Sequence, residues 1–237
     1  MHFTLVNFLS ALAVGIIIGW MARIPNVRLK AAIYTLPIPI SIALLATRQK
    51  INSSEVIGIM LVCGFIWLTR LLHEVFRISI LIADMIGAAL YVALGYVFIK
   101  LIHLSFPTVI VIYLLLWLIL IGFFHKHATE EKSVKPSAIS PVIKGAATTV
   151  ISFVMFSLKD TLAGIVVTFP FSGVFAVAET KGHLEVFFRV VVRNSLAIIG
   201  LFISMYSLQI HLNLVINLII GWAVYFVILK LIQHITV

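Results

Sequence analysis

The chain has 237 residues, 62% of them hydrophobic and only 11% charged, with one cysteine, a mean hydropathy of +1.21 and a formal net charge of +9. Soluble domains carry about 25% charged residues, so a water-soluble globular fold is excluded, as is intrinsic disorder, which needs low hydrophobicity and high charge. Cys63 has no partner in the chain, which removes a disulfide scaffold and leaves an all-α polytopic membrane helix bundle as the expected class.

A spanning helix takes roughly 20 mostly apolar residues. In chain order the stretches that qualify are 3–22, 30–47, 54–72, 78–100, 105–124, 142–158, 161–179, 184–207 and 210–232, which predicts nine spans. Barrel strands would alternate apolar and polar residues over about ten positions, whereas these runs are continuous and longer. The first stretch lacks a basic leader and a small-residue cleavage site, and the cationic loop Arg23, Arg28, Lys30 follows it, so it reads as a retained helix. The second is interrupted by Pro37 and Pro39. The sixth starts near Pro136 and Pro141 and carries Lys144 one turn in. The polar stretch 125–136 reads as a solvated linker, and a metal set of His125, His127, Glu130 and Glu131 there is the weaker reading.

Lys and Arg accumulate in cytoplasmic loops. With nine spans, 13 of the 17 basic residues fall on one side, and Arg48, Lys50, Lys100 and Lys159 on the other. This predicts an outside N-terminus and a cytoplasmic C-terminus. The cations are spread over many short loops, which fits attraction to anionic headgroups and not nucleic-acid binding.

An internal repeat is expected. A shift of 133 places Thr35 and Pro37 on Thr168 and Pro170, and a shift of 134 places Gly87, Ala89 and Tyr91 on Gly221, Ala223 and Tyr225. Helices one to four then answer six to nine, with the fifth as a linker. Five spans separate equivalent helices, so the halves run in opposite senses, the inverted arrangement found in secondary transporters. The units are 1–102, a linker helix and loop at 103–136, and 137–237.

A proline inside a helix removes one backbone bond, and in hydrocarbon the freed carbonyl needs a partner. Thr35, Ser41, Thr168 and Ser172 are the expected donors. The candidate substrate-binding residues are therefore Thr35, Pro37, Thr168 and Pro170, at two interrupted helices facing each other; packing kinks are the alternative. Ionisable groups within spans are functional candidates. Asp84 and Arg193 lie at similar expected depth and are read as a coupling or gating pair, with a structural ion pair or a snorkelling arginine as the rival. Asn194 and Asn217 are candidate interhelical hydrogen-bond partners. Gly15, Gly19, Gly87 and Gly95 are read as close helix contacts. The clusters Glu179, Lys181, Glu185 and Arg70, His73, Glu74, Arg77 are read as solvated helix ends.

The chain has no phosphate-binding loop, no His-Glu-x-x-His zinc motif and no nucleophile elbow. No enzymatic activity, cofactor or metal is expected. The run Leu162-Ala163-Gly164-Ile165-Val166-Val167-Thr168-Phe169-Pro170, followed by Val174-Phe175-Ala176-Val177 and Arg193-Asn194, resembles GlpM-like small bacterial membrane proteins and their duplicated relatives. The likeness covers 162–200 well and 29–50 loosely. It implies a bacterial cytoplasmic (inner) membrane and supplies no substrate. The reading is a secondary transporter or permease-like protein for a small solute. The rivals are a non-transporting subunit or assembly factor for envelope or polysaccharide machinery and, well behind, an enzyme acting on lipid. The expected partners are the lipid bilayer and a small-molecule or ion substrate, with no nucleic acid, and a homodimer left open.

Overall fold

A computed structural model describes residues 5–101, 103–124, 140–171 and 173–235. The described residues form helices α1 (Leu5–Met21), α2 (Val27–Tyr34), α3 (Ile38–Thr47), α4 (Ser53–Glu74), α5 (Ile80–Leu101), α6 (Phe106–Phe124), α7 (Pro141–Ser157), α8 (Lys159–Leu162), α9 (Gly164–Thr168), α10 (Gly173–Glu179), α11 (Leu184–Leu208) and α12 (Leu214–Ile235). Six helical segments are long and apolar enough to cross a membrane: Val27–Thr47, Ser53–Glu74, Ile80–Leu101, Phe106–Phe123, Leu184–Leu208 and Leu214–His234. Leu5–Met21, Pro141–Ser157 and Gly164–Glu179 are shorter apolar helices. The helices fit a membrane-embedded protein. The proposed His125–Glu131 metal set, Pro136 and Ser172 lie outside the described residues.

Helix starts follow local chemistry. Asn26 caps α2 by accepting from Leu29 N at 2.9 Å. Asn52 and Glu55 form a reciprocal capping box on α4. Ser140 caps α7, with Pro141 in the first turn where its missing N–H costs nothing.

The longest helices pack as antiparallel neighbours, α4 on α5 and α11 on α12, and α1 lies along α7. That last contact is backbone to backbone. A Cβ on Gly15 would overlap the Thr149 hydroxyl, and one on Gly145 would sit 2.8 Å from Gly15 O. Gly87 likewise faces Phe65 and Thr69, and Gly95 faces Ile165, so these glycines serve close helix contact as expected. α4 packs on α9, α11 packs on α2, and both α4 and α11 touch α6.

Two groups of helix ends define the ends of the bundle. At one, Glu179 on α10 pairs with both Lys30 on α2 and Lys144 on α7, and Arg70 on α4 reaches Glu185 on α11 at 3.0 Å. At the other, Gln49 Nε2 donates to Lys159 O at 2.9 Å, and Gln209 exchanges hydrogen bonds with Ile51 N and O at 2.8 and 3.0 Å. These are called the lysine end and the glutamine end below.

Candidate functional site

Both helices expected to be interrupted are interrupted. α2 stops at Tyr34 and α3 begins at Ile38, because Pro37 and Pro39 offer no N–H to continue the ladder. The seventh predicted span is cut twice: at Ala163, whose φ of 42° is left-handed without a glycine's freedom, and at Phe169-Pro170-Phe171.

The carbonyls at the breaks find hydroxyl donors. Thr35 Oγ1 donates to Ala32 O at 2.8 Å, Ser41 Oγ to Pro37 O at 2.6 Å, and Thr168 Oγ1 to Gly164 O at 3.2 Å. Two tyrosines complete the set. Tyr225 OH on α12 donates to Thr35 O at 3.1 Å. Tyr91 OH on α5 lies 3.1 Å from Ile165 O and 2.9 Å from Thr168 Oγ1. Both rings are essentially fully buried. Sequence reasoning used these tyrosines only as repeat matches. Their common place in a Gly-x-Ala-x-Tyr pattern was the signal that each had a job at a break.

A cavity of about 40 Å³ lies between the breaks. Tyr34, Thr35, Cys63, Thr168 and Ser195 give it polar atoms, and Pro170 and Phe169 help to close it. At roughly 10–15 Å³ per water it holds about three waters, far below the ~300–1,000 Å³ of a ligand pocket. Three of the four expected binding residues line it. Pro37 does not; it is buried at the start of α3, where its carbonyl accepts from Ser41. The rings of Tyr91, Phe169, Phe171 and Phe156 stack edge to face behind the second break.

Asp84 and Arg193 are not brought together. Arg193, half-buried on α11, donates from Nε to Asn194 Oδ1 at 3.3 Å, and Asn194 Nδ2 donates to Thr35 Oγ1 at 3.0 Å. Arg193 thus reaches the first break through Asn194. Asp84 is 1% exposed on α5, and its Oδ1 has no hydrogen-bond partner among the described residues. It lies within electrostatic reach of Tyr34, which lines the cavity. Similar depth did not make a pair, because depth leaves the rotation of each helix undetermined. The two asparagines do bridge helices as expected, Asn217 Nδ2 donating to Met205 O at 2.8 Å.

Two features were missed. Glu179 is not a solvated helix end. It is 6% exposed and bound by Lys30 and Lys144, themselves 5% and 2% exposed. This triad carries one excess positive charge out of water. Glu55 is fully buried at the opposite end: Oε2 accepts from Asn52 N at 2.8 Å and Oε1 has no partner among the described residues. Beside it, Gly164 N donates to Ser54 Oγ at 3.0 Å, and only a glycine fits against the Glu55 carboxyl there. A glutamate three residues after an asparagine was the available signal for the cap; nothing local marked its burial. Among the described residues no group of His, Cys, Asp and Glu is arranged to hold a metal. No family model, curated protein or solved structure matches the chain.

Proposed function

We propose that the chain is a secondary transporter, permease-like, for a small solute. It works as two inverted four-helix units, 1–102 and 137–237, joined by the helix of 103–136. The observation that carries this reading is a reciprocal exchange at the breaks. Tyr91, from the fourth span, caps the interruption in the seventh; Tyr225, from the ninth, caps the interruption in the second. Under the proposed repeat, a half-turn about an axis in the membrane plane would exchange the two contacts. The packing of α4 on α9 and of α11 on α2 follows the same exchange. The equivalent first and sixth spans touch, α1 on α7, and α6, the unpaired fifth, touches both α4 and α11.

Nine crossings are supported by the same ends. Lys30, Lys144 and Glu179 meet although they belong to the starts of the second and sixth spans and the end of the seventh, as strict alternation requires. The positive-inside bias assigns the lysine end to the cytoplasm. That leaves the N-terminus outside and the C-terminus cytoplasmic. The resemblance of 162–200 to GlpM-like proteins adds a bacterial inner membrane and no substrate. In this reading the cavity is a closed state of the binding site, with Thr35, Thr168 and Pro170 at its wall and Pro37 shaping the first break. Arg193 acts on the site through Asn194, and Asp84 acts separately from α5. The reading assigns no enzymatic step.

Cys63, the sole cysteine, lines the cavity and serves as its reporter. The experiment has two parts. A thermal-shift screen against metabolites and ions identifies a binder, since ligand held by the native state raises the midpoint. Maleimide labelling of Cys63 in liposomes then follows access. Transport predicts that the binder changes the labelling rate and that Thr168→Val abolishes the change. A silent screen with Cys63 inert throughout would sink the reading. The second reading, a non-transporting subunit or assembly factor of envelope machinery, is favoured by the small cavity and the packed rings behind it, and predicts that silence.

A further inference from the structure

A larger cavity lies away from the breaks, at the glutamine end. It is an open cleft of about 630 Å³ between the end of α3 with its following loop and the corner joining α11 to α12. Its formal charge comes from two cations. Arg48 and Lys50 stand at its mouth, both exposed, and neither makes an ion pair among the described residues. The N-terminus of α12, a helix of 22 residues, also opens on the cavity through Asn213, Leu214 and Val215, and supplies N–H donors there opposite the C-terminal ends of α3 and α11. No acidic side chain among the described residues lines it.

Two further observations narrow the ligand. Asn217 lines the cavity at 2% exposure; its amide nitrogen is committed to Met205 O, and its Oδ1, closed over at the wall, has no partner among the described residues. A buried amide oxygen without a donor is costly, so a small turn of the Asn217 side chain toward the cavity is favoured when a hydroxyl is delivered there. The walls are apolar and open: Leu45, Val215 and Ile216 are 42%, 56% and 45% exposed. A small hydrophilic anion would leave those walls wet.

We infer that this cavity binds the headgroup of an anionic phospholipid bearing a hydroxyl, of the phosphatidylglycerol type. The phosphate sits against Arg48, Lys50 and the start of α12. The headgroup hydroxyl donates to Asn217 Oδ1, and the acyl chains run along Leu45, Val215 and Ile216. Gln209 holds the loop in place through its two bonds to Ile51. The site is independent of the central cavity and stands whether or not the chain transports.

Native mass spectrometry of the full chain in detergent tests it, with phosphatidylglycerol, phosphatidylmethanol, phosphatidylcholine and inorganic phosphate as the probes. Phosphatidylglycerol is expected to be retained in preference to phosphatidylcholine. The double variant Arg48→Gln, Lys50→Gln is expected to weaken it about tenfold or more. Phosphatidylmethanol, with the same charge and no headgroup hydroxyl, is expected to bind more weakly than phosphatidylglycerol. Both arginine and lysine are exposed and unpaired, so the variant folds; an unchanged midpoint without lipid verifies this. Equal retention of phosphatidylglycerol and phosphatidylcholine, or undiminished binding by the double variant, overturns the site. Displacement of the lipid by millimolar inorganic phosphate alone assigns the cations to a free anion and overturns the lipid.

Discussion

The two ends of the bundle are closed by different chemistry. At the lysine end, Lys30, Glu179 and Lys144 are withdrawn from water and depend on one carboxylate. At the glutamine end, closure rests on neutral hydrogen bonds: Gln209 with Ile51, Gln49 with Lys159 O, and Gly164 N with Ser54 Oγ. A buried ion pair is expensive to break from one side, because the survivor stays charged in a poor solvent. A neutral hydrogen bond contributes about 1 kcal/mol net. One end therefore fails at a single residue, and the other yields in steps.

Removing the shared carboxylate breaks the comparison most severely. Glu179→Gln leaves two ammonium groups buried without a counter-ion, and a loss of about 3–5 kcal/mol is expected in detergent unfolding titrations. Lys144→Met instead removes the excess charge and keeps Lys30 paired; it is expected to stay within about 1 kcal/mol of the parent. Equal damage from both would show that packing, and not charge, holds this end. Next in size, Gly164→Ala drives a methyl into Ser54 and the Glu55 carboxyl and should cost about 1–3 kcal/mol by the same titration. Gln209→Ala removes two hydrogen bonds and should cost about 1–2 kcal/mol. It should also speed amide exchange at Ile51 while leaving the lysine end protected. The smallest effect belongs to the half-exposed network at the lysine end. Glu185→Ala severs contacts to Arg70 and Arg189, and should cost under about 1 kcal/mol at low salt and nothing measurable in molar salt.

The apolar helices were legible because a bilayer imposes length and composition on any crossing helix, and six of them are long and apolar enough to cross one. Their ends mostly agree with the helices to within a few residues, α12 starting four residues later than expected because Asn213 is its cap. The interruptions were legible because Pro37, Pro39 and Pro170 forbid continuous backbone pairing, and Thr35 and Thr168 stood ready as donors. What eluded the sequence depends on rotation and on distance along the chain. Lys30 and Glu179 are 149 residues apart and meet only because two interrupted helices end at one place. Arg193 turns to Asn194 and leaves Asp84 to α5, a matter of which side of each helix faces inward. The joint at Ala163 left no trace, since its φ of 42° is one a non-glycine residue seldom takes.

The crossing of Gly15 over Gly145 has a mechanical consequence. With no side chains between them, the two backbones cannot slide past one another by exchanging rotamers. In the transporter reading proposed above, a rearrangement around the breaks would pivot at that point, with α1 and α7 as the fulcrum and the interrupted helices as the arms.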